Sequence, residues 1–157
     1  MINLHSHFGV YALILDGDKH RVLVVKKARG PYTCMYDLPG GSPEPAELLE
    51  EALHREVTEE TGCDVSEAKQ IRAVDVRFPY TKDGESAVLR HIGVLFAVKI
   101  TGTPRIDADG EDSLGCAWVK FDELRKENAA PFVLKALELV SPMRPYVEPE
   151  TSSRRHP

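Results

Sequence analysis

From Leu38 to Cys63 the chain runs through a breaker, a strong helix former and a stop in direct succession, and the rest of the sequence is organised around that order. Leu38-Pro39-Gly40-Gly41 must turn sharply and expose backbone. From about Ala46 to Thr61 there is neither Pro nor Gly, and Ala, Leu, Glu and Arg dominate, so intrinsic propensity predicts a helix. Gly62 stands where a left-handed glycine would end it. Projected at about 100° per residue, Leu49, Ala52 and Leu53 form the apolar stripe that a surface helix turns to its core. Glu56, Glu59 and Glu60 continue the same arc, so the inward face switches from aliphatic to acidic in its last two turns.

Carboxylates that close repel by up to ~4 kcal/mol per pair at an effective dielectric near 20. A hard divalent cation relieves this, and all-oxygen ligation suits Mg²⁺ or Mn²⁺. The alternative is a wet, acidic helix end, and periodicity alone leaves both readings open.

The whole chain sets looser bounds. Its 157 residues give room for one domain with a proper core. A hydrophobic content of 42% and a charged content of 29% are those of a soluble globular protein. The net charge of −5 weighs against non-specific polyanion binding, although a nucleotide's phosphates can be met locally. Cys34, Cys63 and Cys116 are too few and too dispersed for a disulfide framework or a paired-cysteine zinc site, which fits a reducing compartment. The N-terminus does not read as a signal peptide, and no apolar stretch approaches the ~20 residues of a membrane span. The expectation is a cytoplasmic protein with no membrane partner.

Taken in order, Phe8 to Leu15 and Arg21 to Lys26 are β-branched and aliphatic runs joined by Asp16-Gly17-Asp18-Lys19-His20, which reads as a hairpin. Lys26, Lys27 and Arg29 follow, either as solvated charges or as cations facing substrate phosphates. His5 and His7 alternate on the first strand and read as structural or surface residues. Ile71 to Phe78 alternates like a half-buried strand, Pro79 to Ser86 is a turn centred on Asp83-Gly84, and Val88 to Ile100 is a central strand. Thr101 to Asp112 is a polar loop, and Gly115 to Phe121 is a strand carrying Trp118. Asp122 to Glu127 reads as a short helix capped by Asp122, and Pro131 to Val140 as a second helix whose Phe132, Leu134, Leu137 and Leu139 are core. Residues 141–157 form a Pro-rich tail. Tyr32, Tyr36, Phe78 and Tyr80 are packing residues or stacking partners for a base.

Gly41, five residues, Glu47, seven residues, then Arg55-Glu56-Val57-Thr58-Glu59-Glu60-Thr61-Gly62-Cys63 resembles the 23-residue signature of the Nudix hydrolases. Every polar and glycine position matches; Cys63 stands where the family has an aliphatic residue, and a buried free Cys behaves as a small hydrophobe. The resemblance covers roughly Phe8 to Val140 and implies the Nudix fold, an α/β/α sandwich with a mixed sheet and helices on both faces. One Nudix domain over residues 1–140 is the expected organisation.

The resemblance also implies an activity: metal-dependent hydrolysis of a nucleoside diphosphate linked to another group, by attack of water on phosphorus. It implies Glu59 and Glu60 as principal metal ligands, Glu56 as ligand or general base, and a backbone oxygen from Gly40 or Gly41. Catalytic standing falls on Glu56, Glu59 and Arg55, with Arg55 orienting a helix carboxylate beside Glu47. Lys27, Arg29, Gly41 and Glu111 are candidates for substrate contact, and Glu111 or Asp112 for a further ligand or base; a solvated loop acid is the alternative for both. A small nucleotide is the expected partner, long RNA is disfavoured by the charge while an RNA 5′ end stays open, and a homodimer is compatible. The competing class is a nucleotide-sensing module that keeps the fold without hydrolysis.

Overall fold

β1 (Asn3–Leu13) and β2 (Arg21–Lys27) dictate the layering, because both bury the two alternating sets of their side chains. Val10 and Ala12, with Leu23 and Val25, enter one core; Tyr11 and Leu13, with Val22 and Val24, enter another. Strands buried on both sides need cover on both faces. α1 (Leu49–Thr61) covers one through Ala52, Leu53 and Val57, and α2 (Pro131–Glu138) the other through Phe132, Val133, Ala136 and Leu137. These relations come from a computed structural model that describes residues 3–106 and 113–140.

The expected mixed sheet is present in two parts. With β4 (Gly40–Gly41), β5 (Asp64–Lys82) and β6 (Glu85–Thr101), the larger has the order β4-β1-β6-β5, in which β1 and β6 run parallel. With β3 (Tyr36–Asp37) and β7 (Ser113–Lys120), the smaller is antiparallel in the order β3-β2-β7. The expected hairpin of the first two strands is therefore only a corner. Leu15 bridges Val22, and the Leu23 N–H donates to the Ile14 carbonyl at 2.9 Å, but the strands then part into different sheets. The physical reason is that β4 and β6 already occupy both edges of β1.

β5 and β6 extend well past the expected strands and are joined by Asp83-Gly84 alone, with both residues at positive φ (52° and 82°), as a tight hairpin turn requires. α1 begins at Leu49 rather than Ala46, because Glu47 folds back: its N–H donates to the Glu44 carbonyl and its carboxylate accepts the Glu44 N–H. Gly62 ends the helix at φ 74°, its N–H on the Thr58 carbonyl at 2.9 Å. The helix expected at Asp122 is a single 3₁₀ turn, Phe121–Glu123, without side-chain capping. In α2, Phe132 and Leu137 are buried as expected, whereas Leu139 lies past the helix and is 40% exposed. Among the described residues no helix is long and apolar enough to cross a membrane. Glu111, Asp112 and the Pro-rich tail lie outside the described residues.

Candidate active site

The breaker Leu38-Pro39-Gly40-Gly41 becomes the narrow strand β4, paired with Val10 and Tyr11 at the edge of the larger sheet. Only glycine fits at position 40. Its φ is 153°, and a Cβ there would run into the Val10 carbonyl oxygen and the Tyr11 backbone. At Gly41 a Cβ would lie 2.5 Å from a carboxylate oxygen of Glu56. The glycines thus let the acidic end of α1 press against the strand's backbone.

The three acids of α1 do not share one environment. Glu60 is buried, Glu56 is half-buried with 15% of its side chain exposed, and Glu59 is 57% exposed rather than turned inward. At 100° per residue Val57 and Glu60 centre the buried face, which puts Glu59 at its margin. Glu60 accepts the Gly40 N–H at 2.9 Å and the Lys27 ammonium at 3.2 Å. Burial pushes the Glu60 carboxyl up to about 7, against the pull of Lys27 and the Gly40 N–H. For Lys27 burial acts downward, but Glu60 and Asp37 outweigh it and the ammonium is held above its ordinary range.

Arg55 gathers the remaining acids. Its Nε and Nη2 donate to the two oxygens of Glu47 at 2.6 and 2.9 Å, a bidentate fork. Nη1 donates to Glu56 at 2.9 Å and to Glu59 at 3.2 Å, and Nη2 also reaches the Ser42 carbonyl. The guanidinium holds Glu47 down at about 2. Glu56 moves up, because burial outweighs Arg55.

A cavity of about 370 Å³ lies on the α2 face of the larger sheet and reaches Gly40 and Gly41 at its edge. Lys27, Arg29 and Asp37 line it together with the glycines, and His5, His7, Tyr11, Tyr32, Tyr80 and His91 supply its ring-bearing wall. Glu56, Glu59 and Glu60 stand across β4 from this cavity rather than in its lining. Asp37 is buried, accepts the Leu38 N–H at 2.8 Å and is raised by burial to about 6.

Sequence reading singled out Lys27, Arg29, Gly40 and Gly41, all of which reach the cavity, but missed Tyr11, Asp37 and His91. It also read His5 and His7 as structural, and both line the cavity. Of the four aromatics weighed as stacking partners, Tyr32 and Tyr80 line the cavity, Phe78 packs on Tyr32 at 5.0 Å, and Tyr36 lies under the Lys26 ammonium. A His directly before the apolar run Ile92–Val98 of β6 was the available signal for His91.

In chemical kind the donors suit a hard cation: all are oxygens, and Glu56 and Glu60 are partly buried carboxylates raised because burial is incompletely compensated. As they stand, no three acidic, His or Cys side chains among the described residues are grouped so as to hold a metal ion; Arg55 and Lys27 hold the acids instead.

The family model described as NUDIX domain matches residues 5–140. A Bacillus subtilis protein named "Putative 8-oxo-dGTP diphosphatase" is 32% identical over 111 residues, covering 71% of this chain and 64% of its own. An ADP-ribose pyrophosphatase of Methanocaldococcus jannaschii is 39% identical over 59 residues, 38% of this chain and 34% of its own. These alignments therefore span less than two thirds of either relative. Among solved structures, a MutT NUDIX hydrolase from Burkholderia pseudomallei superposes with a TM-score of 0.65 at 27% identity, over 87% of this chain and 99% of that one.

Proposed function

The chain belongs to the Nudix hydrolase family, and we propose that it is a Mg²⁺-dependent pyrophosphohydrolase, with Mn²⁺ as a substitute, cleaving the diphosphate linkage of a nucleotide or nucleoside diphosphate derivative. The observation that carries this reading is the partly buried carboxylate set of α1, pressed through Gly40 and Gly41 against a cavity whose near wall holds Lys27 and Arg29. Relatives named as a diphosphatase and a pyrophosphatase point the same way.

Glu56, Glu59 and Glu60, with a backbone oxygen of Gly40, are the groups that would hold the cation. When bound, it neutralises charge on the diphosphate and lowers the pKa of water. Lys27 and Arg29 meet phosphate charge from the cavity side, where the Gly41 backbone forms part of the wall. Glu56, a ligand or the proton acceptor, is the acceptor in this reading because its carboxylate is half-buried and raised by burial, while both oxygens of Glu60 are held by Lys27 and the Gly40 N–H. Arg55 does not touch substrate; anchored on Glu47, it holds Glu56 and Glu59 together until a cation takes over their oxygens. Glu111, which lies outside the described residues, would contribute a substrate contact.

Product analysis for nucleoside monophosphate, pyrophosphate or sugar phosphate from nucleoside triphosphates, sugar and ribose nucleotides, dinucleoside polyphosphates and a 5′-triphosphorylated RNA, each with Mg²⁺ or with chelator, tests the proposal. Hydrolysis of at least one small nucleotide that chelator abolishes is expected. Binding without hydrolysis across the panel would overturn it in favour of a nucleotide-sensing module.

A further inference from the structure

The wall of the cavity away from the acids is built on one face of the larger sheet. β1 and β6 pair in parallel with His5 opposite Leu89, His7 opposite His91 and Gly9 opposite Gly93. The paired glycines leave a hollow, and aromatic rings fill it: a Cβ on Gly9 would lie 2.7 Å from the Tyr11 hydroxyl, and one on Gly93 would meet the Phe132 ring. His91, 1% exposed, stacks on Phe132 at 4.7 Å and 19° within this frame.

The His91 imidazole is bonded at both nitrogens, Nε2 to the Tyr11 hydroxyl at 2.7 Å and Nδ1 to the Tyr32 hydroxyl at 2.9 Å. The Tyr11 hydroxyl lies in turn 3.2 Å from Nε2 of His7. Burial, with His7 and Lys27 nearby, holds His91 down at about 3, and burial with Lys27 lowers His7 as well. A neutral imidazole has one N–H and one acceptor nitrogen, and each phenol has one hydrogen to donate. The chain His7, Tyr11, His91, Tyr32 can therefore be satisfied in two senses.

In the first, Tyr32 donates to His91, His91 to Tyr11 and Tyr11 to His7, which leaves the His7 proton on Nδ1. In the second, every bond reverses, His7 Nδ1 is a bare acceptor and the Tyr32 hydroxyl hydrogen turns out toward the cavity that Tyr32 lines. All three internal hydrogen bonds survive in either sense. Among the described residues His7 Nδ1 has no hydrogen-bond partner, and His7 lines the cavity half-buried.

Building on the proposed hydrolysis, we propose that His7 is the specificity-determining residue for a neutral heteroaromatic base in this cavity, and that reversal of the Tyr11-His91-Tyr32 chain behind it lets the protein accept either a keto or an amino base edge. Adenine offers N–H donors and hypoxanthine a carbonyl at the same ring position, so a fixed donor or acceptor would reject one of them by leaving a buried polar group unpaired. Tyr11 and His91 are positioning residues that act through His7. The surrounding wall supplies the flat apolar contacts a base needs, with Leu89 beneath it and the His5 and Tyr80 rings at the side, 6.1 Å apart.

The test compares adenosine 5′-triphosphate, inosine 5′-triphosphate and base-free tripolyphosphate. For the native protein, kcat/KM for the two nucleotides should agree within about tenfold. In His7→Leu the ratio of nucleotide to tripolyphosphate kcat/KM should fall about 10- to 100-fold for both bases, through KM. In Tyr11→Phe, which keeps the ring over Gly9 but cuts the chain, nucleotide KM should rise with kcat held. A native preference above 100-fold for one base, or a nucleotide ratio unmoved in His7→Leu, would overturn the proposal. If none of the three is hydrolysed, calorimetric binding of the same compounds is read instead: His7-dependent binding of both nucleotides keeps this inference while the hydrolytic reading falls.

Discussion

Two polar clusters meet at β4, and they solve burial in opposite ways. On the α1 side the groups are charged: Glu47, Glu56 and Glu59 gather on Arg55, and Glu60 sits between Lys27 and the Gly40 N–H. On the α2 side they are neutral: two histidines and two phenols satisfy each other without a formal charge. A charged cluster can exchange an internal cation for an external one with little rearrangement, because ion pairing tolerates a range of geometries. A neutral chain keeps its shape and varies only in the direction of its protons. The contrast assigns the first to chemistry on charge and the second to recognition of shape and edge. Among the described residues no buried side-chain polar atom lacks a partner, so neither cluster is a packing defect.

Glu60→Gln should separate the two clusters most sharply. The amide keeps an acceptor for the Gly40 N–H, so circular dichroism should be native-like, while turnover falls by about 10³-fold, or about 4 kcal/mol. Native turnover in saturating Mg²⁺ would remove the charged cluster from the chemistry. Gly40→Ala attacks the border itself: a Cβ against the Val10 carbonyl should unseat β4 and lower unfolding stability by roughly 3 kcal/mol in denaturant titrations.

The neutral cluster has a signature in pH. His91 is depressed to about 3 when folded and returns to its ordinary 6.5 when unfolded, so below pH 6.5 the unfolded chain takes up a proton that the folded one refuses. Its contribution is fully present above pH 6.5 and is lost as pH falls from 6.5 toward 3. Between pH 7 and pH 5 the stability of the native protein should drop about 2 kcal/mol more than that of His91→Gln. Parallel pH profiles would mean that the imidazole is not held neutral. The smallest effect belongs to Arg55→Lys, which keeps the charge but loses the fork on Glu47; a loss of about 1 kcal/mol is expected, with a larger fractional loss of activity if Arg55 positions the acids.

How legible each cluster was in the sequence follows from how local it is. The breaker, the helix and the Gly62 stop are set by neighbouring residues, and Glu47, Arg55, Glu56, Glu59 and Glu60 fall on that one segment. Asp83-Gly84 was equally readable, since two positive φ values need those residue types. The parting of β1 from β2 was not, because it depends on which distant strands, β4 and β6, claim the edges of β1. The length of β5 has the same cause: its pairing with β6 over the whole run from Asp64 to Lys82 supplies order that local alternation does not announce. His7, Tyr11, Tyr32 and His91 lie as far as 84 positions apart, the span from His7 to His91; the β1–β6 register brings His7 and Tyr11 to His91, and Tyr32 reaches it from the turn between β2 and β3. The inward turn expected of Glu59 failed for a smaller reason, the placing of the buried face on Val57 and Glu60.

The central claim is that the acidic end of α1 exchanges Arg55 and Lys27 contacts for a divalent cation. Titrating Mn²⁺ into the protein and following the free ion by electron paramagnetic resonance tests it without any substrate. The native chain should bind Mn²⁺ at least about tenfold more tightly than Glu59→Gln or Glu60→Gln; equal affinity in all three proteins would contradict it.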